Sequence, residues 1–522
     1  MTTNTSVRLC VPVCVRRAVE LRASIARASA VGDLVELRMD CLEDEAQLEL
    51  ATRKLPALFQ ERTRPSILTF RPSEQGGASE ADTARRARFW TENFSPNEER
   101  ADYADLELDI AAHLKAEENR RAVKLIDWNK VICSHHDFAG LPADLENIFA
   151  RMMDTPARIL KLALRARDIT DCLAVFRLLE RAHVAGREMI AVAMGEAGLL
   201  TRILAPARGA YLTFGALDDE QRSAPGQPDA RELRDLYRVH TLNEQTQIMG
   251  LVGSPVAHSL SPHMHNAAFA ARGINAVYIP FEVGDVRAFM RRMAHPRTRE
   301  LVWNLRGLSV TAPHKSAILP LLDSIEPAAR EIGAVNTVVF ESEELKGYNT
   351  DAAAALAPLE GRVDLLDARV AVLGAGGAAR ALLWSLHEAG ADASVFARDM
   401  KRTRATAEEF DALWQMLDDA TRFDGFDLVI NATPLGTLGE RETETPAAAF
   451  QLRGARAAYD LVYNPSETRF MREAREAGCE MIFGGLPMLV AQAAAQFKLW
   501  TGQDAPLEVM RAGAQKRLEV RG

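Results

Sequence analysis

The stretch "ARILKLALRARD", Ala157 to Asp168, sets a lysine inside an apolar run: Lys161 follows Ile159 and Leu160 and precedes Leu162, Ala163 and Leu164. Read as a buried strand, it carries an ammonium group into a core. The stretch is one of a series. "VRLCVPVCV", "LVELRMD", "SILTFR", "YADLELD" and "KVICSHHD" precede it, and "MIAVAMG" and "AYLTFGA" follow. Charged helical segments such as "DITDCLAVFRLLERAHVA", Asp168 to Ala185, lie between them. Eight such strands close a parallel (β/α)₈ TIM barrel, here expected over residues 1–230.

In such a barrel the reactive groups sit at the C-terminal ends of the strands, where the βα loops gather. That rule selects Glu36 and Arg38 from the second strand, Arg71 from the third, Glu107 from the fourth and His136 from the fifth. Lys161 lies in the sixth, Arg202 follows the seventh, and Ser223 and Gln227 fall in the loop after the eighth. Burial and neighbouring arginines are expected to expose a neutral amine, which is a nucleophile for a ketone. The protonated imine then withdraws electrons from the adjacent carbon, whose proton a histidine removes, while arginines hold an anionic substrate. Singly, each group has a plainer reading: a snorkelling lysine, a capped turn around "SHHDF", structural ion pairs at strand ends. Their shared face favours chemistry.

Beyond the barrel, "RELRDLYRVHTLNEQTQ" reads as a last helix passing into a linker at 231–246. At "IMGLVGSP" a new strand opens, and "AVYIPFEV", "GLSVTAP" and "TVVFESEEL" predict an open α/β sheet over 247–352, completed by helices at 486–522. Strands "RVAVLG", "DASVFAR", "DLVINAT", "AAYDLVY" and "EMIFGG" predict a doubly wound, Rossmann-like nucleotide-binding core over 353–485.

The composition agrees with small-molecule work. A chain of 522 residues with 48% hydrophobic and 26% charged residues reads as soluble and globular, too long for one domain. A net charge of -9 argues against a nucleic-acid footprint, which needs a concentrated basic face. No apolar run reaches membrane-spanning length and "MTTNTSVRLCVPVCVRR" lacks the order of a secretory signal, so a cytoplasmic protein without a membrane partner is expected. The six cysteines show no metal spacing. They are expected to be free thiols, with Cys10 and Cys14 alternating along one strand and no metal bound.

In the second half, "VLGAGGAAR" follows a strand and opens a helix, so that Gly374, Gly376 and Gly377 let a pyrophosphate approach the helix N-terminus. The next strand ends in Arg398, with Lys401 and Arg402 close behind, which suits the 2′-phosphate of NADP; Asp399 is the counter-indication. "GSPVAHSLSPHMHN" offers the hydroxyls of Ser259 and Ser261. "SVTAPHK", "GAVNT" and "GYNTD" add Lys315, Asn336, Asn349 and Asp351. A lysine and an aspartate together move a proton to an alkoxide while a nicotinamide transfers hydride.

Over Val7 to Pro228 the motifs "VELRMD", "TFRPSEQGG", "DLELD", "SHHDF", the Lys161 strand, "MGEAGLLTR" and "SAPGQ" stand in the order of type I 3-dehydroquinate dehydratase, which this region resembles. The resemblance implies a Schiff base from Lys161 to the ketone of 3-dehydroquinate, proton transfer by His136 and loss of water to give 3-dehydroshikimate. It makes Glu36, Arg38, Arg71, Arg202, Ser223 and Gln227 substrate contacts. Gln75 stands where that family usually has Glu before Gly-Gly, keeping a hydrogen bond but not a charge.

From Ile248 onward, the same motifs with "DLVINATPLG", "DLVYNP" and "GGLPMLVAQAAAQFKLWTG" closely resemble shikimate dehydrogenase. That likeness implies Ser259, Ser261, Thr311, Asn336, Tyr463 and Gln492 around shikimate, with Lys315 and Asp351 as the catalytic pair. It implies Gly374, Ala375, Gly376, Gly377, Ala378, Arg398 and Gly485 around NADP(H), and a helix bearing Gln492 that returns to the first lobe. Ser309 replaces the Asn of many relatives, and Ala397 and Asp399 flank Arg398 where Asn and Thr are common.

Together the two resemblances imply a bifunctional enzyme for successive steps of the shikimate pathway, with small-molecule substrates and the oligomeric state left open. Two other readings use the same residues. One is a catabolic quinate or shikimate dehydrogenase working with NAD. The other is a ligand-sensing regulator, against which Lys161, His136, Lys315 and Asp351 are all retained.

Overall fold

Eight short strands, β1 (Leu9–Val13), β2 (Leu34–Arg38), β3 (Ser66–Thr69), β4 (Tyr103–Glu107), β5 (Val131–Asp137), β6 (Ile159–Arg165), β7 (Glu188–Met194) and β8 (Thr213–Phe214), form one parallel sheet ordered β7-β6-β5-β4-β3-β2-β1-β8. Both faces of these strands are covered, which is why the lysine strand is apolar on either side: β6 is buried from Ile159 to Leu164. At the seam, Tyr211 N–H donates to Met189 O at 2.8 Å just before β8, which is two residues long. The structure is a computed structural model and describes residues 7–94, 101–121, 124–218, 224 and 226–519. Ser223 lies outside the described residues.

Register fixes which side chains meet inside the barrel. Lys161 is level with Ser134 on β5, Ser134 with Glu107 on β4, and His136 with Ala163. His136 therefore stands one inward-facing step nearer the mouth than Lys161. The helix Cys172–Val184 follows a turn capped by Asp168, whose Oδ1 accepts from Thr170 N–H at 2.9 Å.

By spatial contact the chain divides into two units. One runs through Thr246 and takes in Phe281–Gly284 and Glu300–Asn304; the other comprises Gln247–Pro280, Asp285–Arg299 and the chain from Leu305 onward. The second contains two six-stranded sheets. Strands β9 (Gln247–Gly253), β10 (Ala276–Glu282), β11 (Leu305–Val310), β12 (Ser324–Ile325), β13 (Thr337–Glu341) and β14 (Glu344–Tyr348) are ordered β10-β9-β11-β13-β14-β12. The stretch "TVVFESEEL" is a hairpin rather than one strand. It turns at Ser342, whose φ is 59°, and β13 runs antiparallel to both β11 and β14.

The other sheet, β15 (Arg369–Leu373), β16 (Asp392–Ala397), β17 (Leu413–Met416), β18 (Leu428–Asn431), β19 (Ala457–Asp460) and β20 (Met481–Phe483), is wholly parallel in the order β17-β16-β15-β18-β19-β20. It is Rossmann-like, with β15 beside the point where the strand order reverses. Edge strand β17 was not anticipated, because its four residues are all exposed and carry no burial pattern. The helix Leu486–Thr501 crosses back to the first sheet of this unit, where Trp500 Nε1 donates to Val338 O at 3.1 Å.

The cysteine reading needs correction. Strand β1 ends at Val13, so Cys14 is not in it, and Cys14 is joined to Cys41 by a disulfide across 27 residues of sequence. Cys10, Cys133 and Cys172 are free and buried, and Cys479 is free and half-buried. The two bridged residues follow neighbouring strand ends, β1 and β2, which brings them together only in the folded barrel.

Candidate active sites

At the barrel mouth Glu36, Arg38, Arg71, His136, Lys161, Arg202 and Gln227 line one cleft. Glu36, Arg38, His136 and Lys161 come from the strands themselves and Arg71, Arg202 and Gln227 from the segments that follow them, so the parallel sheet places them without any local sequence relation. Phe214 of β8 closes one wall, with Lys161 Nζ 4.3 Å from its ring centre. Arg38 is aimed by a neighbour, since its Nε and Nη2 donate to Asp40 at 2.9 and 2.7 Å. Glu36 accepts from Thr69 Oγ1 at 2.8 Å.

The surroundings of Lys161 differ from expectation. It is ion-paired with two carboxylate oxygens, Asp105 Oδ2 at 2.6 Å and Glu36 Oε1 at 3.5 Å, where the sequence pointed only to neighbouring arginines. Arg71 reaches the same oxygen, its Nη2 donating to Asp105 Oδ2 at 2.7 Å. The burial of Lys161 is thus matched by an ion pair. Asp105 escaped the sequence reading although a signal was present: it stands two before Glu107 on one strand, hence on the same inward face.

His136 is fully buried, and burial first, then Arg71 and Lys161, holds its imidazole well below the usual histidine range. A neutral ring is an acceptor, the form a general base needs. Burial pushes Glu107 up to about 8 despite the nearby Arg71, and its Oε2 accepts from Arg86 at 3.2 Å; it serves beneath the mouth rather than in the cleft lining. Arg202 is buried with no hydrogen-bond partner at Nε, and burial alone pushes it down to about 10. A cation held so poorly invites an anionic ligand.

In the second unit a cleft of about 1190 Å³ is lined by Ser259, Ser261, Thr311, Lys315, Asn336, Asp351, Tyr463 and Gln492. The same cleft is lined by Gly374, Ala375, Gly376, Gly377, Ala378, Arg398 and Gly485, so the substrate, catalytic and cofactor residues implied by the shikimate dehydrogenase likeness open onto one space, whereas Asn349 and Lys401 do not line it. That space is large enough for a dinucleotide and a small acid together. Lys315 Nζ donates to Asp351 Oδ2 at 2.5 Å, and Asn336 Nδ2 donates to the other oxygen, Oδ1, at 2.8 Å. Asp351 sits in the first turn of the helix Thr350–Ala355, begun by an Asn349 cap.

Two glycines are demanded by geometry. Gly374 has φ 116°, and a Cβ there would lie 3.1 Å from Ala432 O. A Cβ at Gly485 would stand 2.3 Å from Leu461 O. The glycine turn delivers the chain to the N-terminus of the helix Gly377–Glu388, and Arg402 Nε donates to Ala375 O at 2.8 Å. Backbone N–H groups and basic side chains thus face the same end of the cleft, and they fit a dinucleotide phosphate.

Ser309 completes a relay the sequence did not reveal. It accepts from Tyr278 Oη at 2.7 Å and donates to Gln496 Oε1 at 2.9 Å, while Gln496 Nε2 donates to Thr337 Oγ1 at 3.0 Å. The available signal was the spacing of Gln492 and Gln496, one turn apart on a helix face. Tyr463, its phenol pushed up by burial and eased by a hydrogen bond with Ser259, closes the opposite side. Among the described residues no cluster of His, Cys, Asp or Glu is arranged to hold a metal ion, and no helix is long and apolar enough to cross a membrane.

Comparison with known proteins finds matches over both units. Residues 9–244 match the type I 3-dehydroquinase family, 251–338 the shikimate dehydrogenase substrate binding domain, and 485–512 the shikimate 5′-dehydrogenase C-terminal domain. The chain is 34% identical over 524 residues to the chloroplastic bifunctional 3-dehydroquinate dehydratase/shikimate dehydrogenase of Arabidopsis thaliana, covering 96% of this chain and 83% of that one. It is 44% identical over 281 residues to the NADP(+) shikimate dehydrogenase of Moorella thermoacetica, covering 51% and 91%. Among solved structures, Thermus thermophilus shikimate 5-dehydrogenase in complex with NADP(H) and shikimate matches at 38% identity and TM-score 0.46, over 52% of this chain and all of that one.

Proposed function

The chain belongs to the bifunctional 3-dehydroquinate dehydratase/shikimate dehydrogenase family, and from that premise we propose how its residues divide the work. The enzyme dehydrates 3-dehydroquinate to 3-dehydroshikimate and reduces 3-dehydroshikimate to shikimate. Barrel, linker, substrate lobe and nucleotide lobe are assigned as 1–230, 231–246, 247–352 with 486–522, and 353–485. The observation that carries the reading is the barrel mouth, where a buried lysine, a neutral histidine and an arginine without a counter-charge among the described residues share one cleft.

In the barrel, Lys161 Nζ attacks the substrate ketone and water leaves, giving a protonated imine. Arg202 holds the carboxylate, while Glu36, Arg38, Arg71, Ser223 and Gln227 engage the hydroxyls. His136 takes the proton from the carbon next to the imine, and the electrons released expel the ring hydroxyl, which leaves as water with that proton. Hydrolysis of the imine then frees the product and restores the amine.

In the second unit, Ser259, Ser261, Thr311, Asn336, Tyr463 and Gln492 orient the ring. Gly374 to Ala378, Arg398 and Gly485 hold NADP(H), which supplies the hydride when bound. Lys315 delivers the proton to the nascent alkoxide oxygen, and Asp351, fixed by Asn336, keeps the ammonium aimed. No metal is required by either set of groups. The compartment remains the cytoplasm read from the sequence; the Arabidopsis relative is described as chloroplastic.

Supplying 3-dehydroquinate and NADPH to the purified chain tests the whole reading, with shikimate as the expected product. Borohydride added with 3-dehydroquinate should trap a reduced adduct on Lys161, and an adduct elsewhere overturns the assignment. One observation favours the NAD-linked alternative: Asp399 lines the cleft beside Arg398. Initial rates on shikimate and quinate with each dinucleotide separate the two, and a preference for quinate with NAD defeats the biosynthetic reading.

A further inference from the structure

Gln75 stands where the resembling family usually carries a glutamate, and what it offers His136 is a carbonyl, Oε1 accepting from the His136 backbone N–H at 3.0 Å. The imidazole Nδ1 is buried without a hydrogen-bond partner. A carboxylate does lie among these groups, on a different strand. Asp105 of β4 is fully buried, and its Oδ2 receives both Lys161 Nζ at 2.6 Å and Arg71 Nη2 at 2.7 Å, leaving Oδ1 unpartnered. Asp105 is not part of the cleft lining, so its influence on substrate passes through Lys161 and Arg71, which are.

We propose that Asp105 is a positioning residue of the dehydratase site, supplying from β4 the negative charge that Gln75 does not, and holding Lys161 in line with His136 and Arg71. The inference deepens the Schiff-base reading of Lys161 and rests on it. The lysine nitrogen is a cation both as ammonium and as protonated imine. A fixed carboxylate therefore serves both states, and no charge needs to be rearranged between them.

The electrostatics of the pocket have the right signs. Against the effect of burial, Arg71 and Lys161 hold Asp105 well below the usual carboxylate range, so it stays ionised throughout. Burial, Arg71, Lys161 and Arg38 all lower His136, and Asp105 acts in the opposite direction. Cys10 on β1, Glu107 on β4 and Cys133 on β5 also feel the Asp105 charge, and the Glu36 carboxylate on β2 stands 3.5 Å from Lys161 Nζ.

Asp105→Asn in the full chain tests the proposal. Expected is a fall in dehydration kcat of about tenfold or more, with the acidic limb of kcat/KM displaced to lower pH by about half a unit or more. The direction follows because removing a negative charge that raises His136 favours its uncharged form. A rate loss with the limb unmoved would mean a merely structural residue, and an unchanged rate would end the idea. Gln75→Glu gives an independent readout should the first variant not fold. If Asp105 already supplies the charge, kcat changes less than about threefold; a gain of about tenfold shows that the charge was missing and overturns the proposal. Failure of the underlying Schiff-base reading looks different: the unaltered protein then yields no borohydride adduct on Lys161.

Discussion

Both units carry a lysine paired with an aspartate, at 2.6 Å for Lys161 and Asp105 and at 2.5 Å for Lys315 and Asp351. The lengths match and the settings do not. The barrel pair is sealed, with side-chain exposures of 5% and 0%, and its aspartate also receives an arginine. The pair in the second unit is 19% and 9% exposed at the wall of a large cleft, and its aspartate is braced by Asn336. A sealed lysine suits covalent chemistry, where water must be kept from the imine except at hydrolysis. A lysine on a cleft wall suits a proton that must be replenished from solvent after each turnover. The contact alone does not assign the role.

The comparison is broken most severely by Lys161→Ala, which should reduce dehydration on the order of 10⁴-fold or more while shikimate oxidation persists. Loss of both activities in a folded variant contradicts the independence of the two sites. Next comes Asp351→Asn, expected to lower shikimate oxidation by about 10²–10⁴-fold and leave dehydration untouched. Steady-state rates of both reactions on the same preparation read this directly, and an effect confined to KM would move Asp351 from proton transfer to binding.

Smaller effects sharpen the distinction. Arg398→Gln should weaken NADPH binding, followed by nucleotide fluorescence, roughly ten- to a hundredfold while NADH binding changes little. Equal losses for both nucleotides would place Arg398 away from the 2′-phosphate. The smallest predicted change is in pH. Because His136 is lowered by its burial, the neutral base persists under mildly acid conditions, and dehydration kcat/KM should stay level down to below pH 6.5, the ordinary histidine value. A limb at or above that value would mean that the sealed site does not depress its histidine.

How much was legible beforehand depended on distance along the chain. The barrel count, the glycine turn before Gly377 and the serine pair at 259 and 261 are local patterns, and they stand as strands, turn and helix start in the structure. Strand β17 was illegible because an exposed edge strand has no apolar period to read. The hairpin at Ser342 was run together into one strand because its turn carries no glycine, proline or asparagine to mark it. Asp105 shares an inward face with Glu107 in "YADLELD", but neither names its partner, and Lys161 lies 56 residues away.

What the sequence determined by itself was the series of elements, the chemistry available in them and the family they resemble, because periodicity and short motifs act within a few residues. What the tertiary structure decided was pairing. Closure of the barrel puts Lys161 and Arg71 on one carboxylate oxygen and joins Cys14 to Cys41, and the packing of the second unit threads Ser309, Tyr278 and Gln496 into one relay. Contacts between distant segments form only when the sheet register is fixed, and that register is a property of the folded barrel and sheets rather than of any one strand.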